Sequence, residues 1–398
     1  MNPRLARLHA YPFERLREAF ARFTPNPHLR PINLGIGEPK HPTPSLVIDA
    51  LRDATSGLAN YPMTIGPIEL RAAIARWLER RHGLRTLDEQ REVLPVLGSR
   101  EALFAFAQAI VDASRAGATV VMPNPFYQIY EGAALLAGAE PYCVNSLPGN
   151  GFVPQWQDVP HAVLARTQLL YVCSPDNPTG RVASLDEWRT LFELSDRYGF
   201  VIASDECYSE IYFDESTPPL GALAAAQALG RAGYPRLLTF GSLSKRSNVP
   251  GMRSGYVAGN ADLVRTFLLY RTYHGSAMSP MVARASIAAW NDEAHVRTNR
   301  SEYREKFHAL QPQLATALPC DMPQAAFYLW ARTPIDDDAR FAMKLYEEQA
   351  VTVMPGSFFA REAHGINAGK GYVRIALVAP IDECREAIER IVTCARGL

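Results

Sequence analysis

Between residues 92 and 259 six short apolar runs recur, EVLPVLGS, ATVVMPNP, QLLYVCSP, FVIASDE, RLLTFGS and SGYVAG, and several stop at Ser, Asn, Asp or Gly. Helical patterns separate them. Strand-length runs alternating with helices predict an α/β fold with a large, mostly parallel sheet flanked by helices. In open sheets of this kind ligands gather where strands end, so residues at those ends are the first functional suspects. The connecting stretch PIELRAAIARWLERRHGL shows the expected helix punctuation, with Pro67 in the first turn and Gly83 as the stop.

Past Trp290 the rhythm changes. A long polar amphipathic stretch precedes FYLWAR, VTVMPG, YVRIALV and a last helix, DECREAIERIVTCA. These predict a smaller α+β domain. The expected division is a large domain over 45–290, and a small domain formed by 291–398 together with an N-terminal arm over 1–44. At 398 residues the chain is long enough for two such cores.

Acidic and basic residues balance at 41 each, which gives no global attraction to nucleic acid or to a membrane surface. No stretch reads as a membrane span, and Glu14 and Glu18 argue against an N-terminal targeting helix; a cytoplasmic protein is expected. The six cysteines are scattered, with no Cys/His spacing suited to a metal. Reduced thiols and no metal are expected.

Only five of the 41 basic residues are lysine, and one of them, Lys245, follows a strand end inside SLSKRSNVPGMRSG. Arginine stays protonated, whereas an amine can lose its proton on desolvation and attack a carbonyl. Lys245 is therefore a candidate Schiff-base lysine, with a solvated loop charge as the ordinary alternative. Ser242, Ser244 and Arg253 surround it, and Ser99 and Arg100 begin a helix at another strand end; hydroxyls, guanidinium and helix N–H groups suit a phosphate. Asp205 ends FVIASDE, where a carboxylate needs a cation or several donors, such as a protonated ring nitrogen. Asn177 in SPDNPTG could donate to a phenolic oxygen, and Tyr127 in PNPFYQIY could stack on a flat ring. Singly these residues also serve as caps, turns or core aromatics. Together they describe pyridoxal 5′-phosphate.

The ordered set INLGIGEP, YP with IGPIELR, SPDNPTG, SDECYSE, SLSKRSNVPGMRSG and YVRIAL spans nearly the whole chain and resembles the class I aminotransferases of pyridoxal-phosphate fold type I. The resemblance implies that Lys245 bonds the cofactor aldehyde and shuttles the proton, that Asp205 partners the ring nitrogen, and that Asn177 and Tyr208 contact the phenolic oxygen. It stacks Tyr127 on the ring and assigns the phosphate to Ser99, Arg100, Ser242, Ser244 and Arg253. Tyr61 matches a tyrosine sent to the partner subunit's phosphate, which implies a homodimer with shared sites. Gly37, Asn177 and Arg374 match substrate-binding positions, Arg374 as the α-carboxylate clamp.

Within the family, HAYPFERLREAF, LGIGEPKHPTP and PNPFYQIYEGAALLAGAEP resemble bacterial succinyldiaminopimelate transaminases. This implies exchange between N-succinyl-2,6-diaminopimelate and 2-oxoglutarate in lysine and diaminopimelate synthesis. Arg271, His274 and Ser276 are candidates for distal carboxylates. The alternatives are a general aspartate, alanine or aromatic aminotransferase, a carbon–sulfur lyase, and a non-catalytic ligand sensor.

Overall fold

Seven strands make the main sheet of the computed structural model, which describes residues 1–398. They are β1 (Val93–Val96), β2 (Thr119–Asn124), β3 (Glu140–Asn145), β4 (Thr167–Cys173), β5 (Val201–Asp205), β6 (Leu237–Ser242) and β7 (Gly255–Gly259). Their order is β1-β7-β6-β5-β4-β2-β3. Every neighbouring pair is parallel except those of β7, which runs against both β1 and β6. Six of the seven are buried along their whole length, as expected of a sheet covered on both faces by helices.

The six predicted runs supply all strands but β3. That strand, EPYCVN, lies at the sheet edge, is only partly buried and contains Pro141, so it shows neither a continuous apolar run nor an alternation. The helix after the first turn signals runs Ile68–His82 and ends at Gly83 with φ +61°, a left-handed cap that glycine adopts without strain. Pro67 stands just outside that helix, at its N-cap, and not in the first turn.

A second sheet of three antiparallel strands, β8 (Tyr328–Arg332), β9 (Met354–Pro355) and β10 (Tyr372–Ala376), has the order β9-β10-β8. The helices Ala294–Ala315, Asp338–Gln349 and Ile381–Arg396 bury their apolar faces in the same core as this sheet. The N-terminal segment touches both layers. Arg7 pairs with Glu140 at the edge of the main sheet, and Phe20 stacks on Tyr346 at 4.4 Å between ring centres. Residues 32–33 pair in parallel with 351–352. No helix is long and apolar enough to cross a membrane.

The topology gathers functional groups on one edge. The parallel strands β1, β2, β4, β5 and β6 end there, and antiparallel β7 begins there. Ser242 lies opposite Gly255, and Cys173 lies opposite Asp205 in the register. The loops following these positions bound the site.

Candidate active site

Asp205 closes β5 and is 3% exposed. Its Oδ2 accepts the Tyr130 hydroxyl at 2.7 Å and its Oδ1 accepts the Cys207 N–H at 3.3 Å. Neither donor carries charge, and burial raises the carboxyl above its ordinary range. A carboxylate held at such a site favours a cation brought to it.

β6 ends in Ser242, whose Oγ accepts the Ser244 N–H at 3.1 Å and so caps the single turn Leu243–Arg246. That turn carries Lys245. Its Nζ donates to the Gly37 carbonyl at 2.7 Å. Burial lowers the amine to about 8, and the charges of Arg374 and Arg253 push it the same way. An amine of this kind can exchange a proton near neutral pH.

The Ser99–Ile110 helix begins beside this turn, behind Gly98 at φ +84°. A Cβ at position 98 would lie 2.4 Å from Nη2 of Arg253, so glycine is what lets this guanidinium cross the start of the helix. Arg253 also donates to Ser244 Oγ at 3.4 Å and to the Pro250 carbonyl at 2.9 Å. Ser99 Oγ lies 2.7 Å from Cys207 Sγ. Hydroxyls, one guanidinium and the positive end of a twelve-residue helix thus converge on one corner. Arg100, the next residue of this helix, is exposed, with its guanidinium over the Tyr11 ring at 5.2 Å at the rim of the site.

The opposite wall comes from the second sheet. Arg374, in the middle of β10 and 2% exposed, donates to Asn177 Oδ1 at 2.9 Å and to the Gly35 carbonyl at 2.8 Å. Its guanidinium lies 4.2 Å from the ring centres of both Tyr328 and Phe359, and its Nε has no partner. Tyr208 and Tyr328 hydroxyls meet at 2.9 Å. Gly37 leaves room for this pair, since a Cβ there would lie 2.0 Å from the Tyr328 oxygen.

These walls enclose a cavity of about 320 Å³. Lys245, Asp205, Tyr208, Ser99, Arg100, Tyr127, Asn177, Ser242, Ser244, Arg253, Gly37 and Arg374 all line it. Tyr61 does not; it is fully exposed on the surface. Arg271, His274 and Ser276 are also outside; Arg271 is bound to both oxygens of Glu101 at 2.8 Å, and His274 pairs with Ser276. Sequence reasoning missed Tyr130, Cys207, Gln128, Tyr328 and Phe359. Two signals were available: Tyr130 lies one helical turn beyond Tyr127, and Cys207 follows Asp205 by two. No cluster of His, Cys, Asp or Glu is arranged to hold a metal ion.

Residues 30–391 match the family model described as aminotransferase class I and II. An LL-diaminopimelate aminotransferase of Desulforudis audaxviator is 34% identical over 369 residues, covering 91% of this chain and 90% of the relative. Among solved structures, an aminotransferase from Neisseria meningitidis superposes with a TM-score of 0.96 at 52% identity over 100% of both chains. A probable N-succinyldiaminopimelate aminotransferase from Thermus thermophilus gives a TM-score of 0.84 at 27% identity, covering 96% of this chain and 98% of the other.

Proposed function

The chain belongs to the class I and II aminotransferases, enzymes that work with pyridoxal 5′-phosphate, and we propose that it transfers the amino group of N-succinyl-2,6-diaminopimelate to 2-oxoglutarate. One observation carries the catalytic part of this reading: an amine of lowered pKa, Lys245, shares a cavity with a buried carboxylate that lacks a cation, Asp205, and a buried guanidinium with an unused N–H, Arg374.

The cavity suits the cofactor group by group. Asp205 would hold its protonated ring nitrogen. Arg374 can only donate, so Asn177 must turn Oδ1 toward it, which leaves Nδ2 free for a phenolic oxygen, with Tyr208 beside it. Ser99, Ser244, Arg253 and the helix start would hold the phosphate. Ser242 has less to offer there, since its hydroxyl already donates to the Ser254 carbonyl at 3.3 Å and its oxygen caps the turn. Arg100 and Tyr127 complete the proposed set, Tyr127 against the ring face.

Lys245 would hold pyridoxal phosphate through its aldehyde until the substrate amine takes its place, and the cofactor would then supply an electron sink for the charge left when the amino acid loses its α-proton. The protein's own residues do the remaining work. Arg374 fixes the α-carboxylate through two N–H groups and so orients the α-carbon. Lys245 takes the α-proton on Nζ and gives a proton back, a task its lowered pKa permits near neutral pH. Asp205 keeps a proton on the ring nitrogen. Tyr11 and Phe13 from the N-terminal segment line the cavity and limit entry of water. Two half-reactions through one site predict ping-pong kinetics.

The succinylated substrate is supported by the sequence motifs and by the name of the Thermus thermophilus structure. A second reading, LL-diaminopimelate itself, is favoured by the name of the Desulforudis audaxviator relative. Rates of purified enzyme with each compound, aspartate, alanine and tyrosine, all with 2-oxoglutarate, separate them; preference for aspartate or tyrosine would overturn both.

The same proposal includes a cytoplasmic homodimer and the division into 45–290 and 1–44 with 291–398. Exposed Tyr61, Leu58, Met63, Leu269 and Tyr273 support the dimer. Tyr61 would then reach the partner's phosphate corner.

A further inference from the structure

The loop after β2 carries a side chain that the mechanism leaves unused. Gln128 is 8% exposed and lines the cavity. Its Nε2 donates to the Phe126 carbonyl at 2.9 Å and to the Phe359 carbonyl at 3.3 Å. Two acceptors at one end fix the amide, because an oxygen placed there would face two oxygens. Oε1 is therefore the other end. It has no partner in the protein and is not sealed inside it, so it opens on the cavity.

Apart from the Asp205 carboxylate, the charged and amide groups that share the cavity with this oxygen are donors. Lys245, Arg253, Arg374 and the free Nδ2 of Asn177 are donors, suited to carboxylate and phosphate oxygens. Gln128 Oε1 can only accept. It is also rigidly related to the carboxylate clamp, since Phe359 holds Gln128 by its carbonyl and Arg374 by its ring, the latter at 4.2 Å. The acceptor and the clamp are thus held in a fixed relation through one residue, Phe359. An acceptor stripped of water and left unpaired penalises a ligand, whereas an N–H directed at it is favoured.

We infer that Gln128 is a specificity-determining residue that accepts an N–H from the side chain of the amino substrate. It selects amino acids carrying a nitrogen donor away from the α-carbon. This rests on the reading of Arg374 as the α-carboxylate clamp. The secondary amide of N-succinyl-2,6-diaminopimelate and the distal ammonium of LL-diaminopimelate both present such a donor; 2-aminopimelate, which has the same carbon chain without the second nitrogen, does not.

The test uses enzyme loaded with pyridoxal phosphate and compares kcat/KM for each nitrogen-bearing compound with that for 2-aminopimelate. In Gln128→Met this ratio should fall at least tenfold. A fall confined to the amide or to the ammonium compound identifies which donor is read, and supports the assignment either way. An unchanged ratio, whatever happens to the absolute rates, overturns it. Both rates come from one preparation, so a partly folded variant scales them equally. Wild-type enzyme gives an independent reading with N6-acetyl-lysine and its ester isostere, in which oxygen replaces the N–H: preference for the amide supports the inference and equal rates contradict it. If neither diaminopimelate compound is turned over, the proposed substrate fails, and the N6-acetyl-lysine pair still decides on Gln128.

Discussion

Two lysine amines are withdrawn from solvent in this protein, and their surroundings are built differently. Burial lowers the pKa of both. Lys306, 3% exposed on the Ala294–Ala315 helix, reaches His41 Nε2 at 2.6 Å and the Leu377 carbonyl at 3.4 Å, over the Tyr303 ring at 5.1 Å. His41 donates from Nδ1 to Asn299 Oδ1 at 2.7 Å, so its Nε2 accepts and Lys306 serves as the charged donor. Two acceptors and a ring face hold that ammonium. Lys245 has one backbone carbonyl, the Phe327 ring at 5.5 Å, a cavity before it and two guanidinium groups nearby. Desolvation alone thus does not make a reactive amine; it must also face open space and be held by fewer acceptors.

The sharpest way to break this contrast is to exchange the side chains for others. Lys245→Arg keeps the charge and should abolish amino transfer to 2-oxoglutarate, because arginine can neither bond the aldehyde nor carry the proton. Lys306→Met should keep turnover within about tenfold of wild type, since Lys306 does not line the cavity. Equal losses in the two variants would erase the distinction.

Arg374→Lys replaces a two-pronged clamp, stacked between two rings, with a point charge. A loss of about 100-fold in kcat/KM is expected, largely as a raised KM. A loss under about threefold would remove Arg374 from the substrate site.

The amines should also differ in stability. In protein freed of cofactor, Lys245 carries the cost of enclosing a charge in full below pH 8, and that cost disappears as pH rises toward 10.5. Lys245→Met should therefore raise stability at pH 7 by about 2–3 kcal/mol, with the gain fading across that window in denaturant titrations. Lys306→Met should destabilise at the same pH, because it leaves His41 Nε2 and the Leu377 carbonyl without their donor. Gain at both positions would mean that neither ammonium is satisfied.

What the sequence made legible follows from distance along the chain. Asp205, Lys245, Ser99 and Asn177 sit where apolar runs stop, and a strand end carries its chemistry with it. Tyr328 and Phe359 could not be found this way. They reach the cavity only because β8 and the segment after β9 pack across the edge of the main sheet, more than 100 residues from Asp205 in the chain. Arg374 was assigned through family resemblance, since a lone arginine in a short strand has no local mark of burial. Gln128 was hidden differently: its role depends on which end of an amide is tied down, and the carbonyl of Phe359 decides that.

The smallest expected effect concerns the surface. Tyr61→Phe should weaken retention of pyridoxal phosphate by about tenfold, as followed by dialysis and absorbance, if its hydroxyl completes the partner's phosphate corner. Unchanged retention would detach Tyr61 from the site.

The most direct measurement is chemical trapping. Protein loaded with pyridoxal phosphate is reduced with borohydride, digested and mapped by mass spectrometry. The cofactor's mass is predicted on the peptide containing Lys245 and on no other. Its appearance on the Lys306 peptide, or on none, would contradict the central claim that the open-faced amine is the one that reacts.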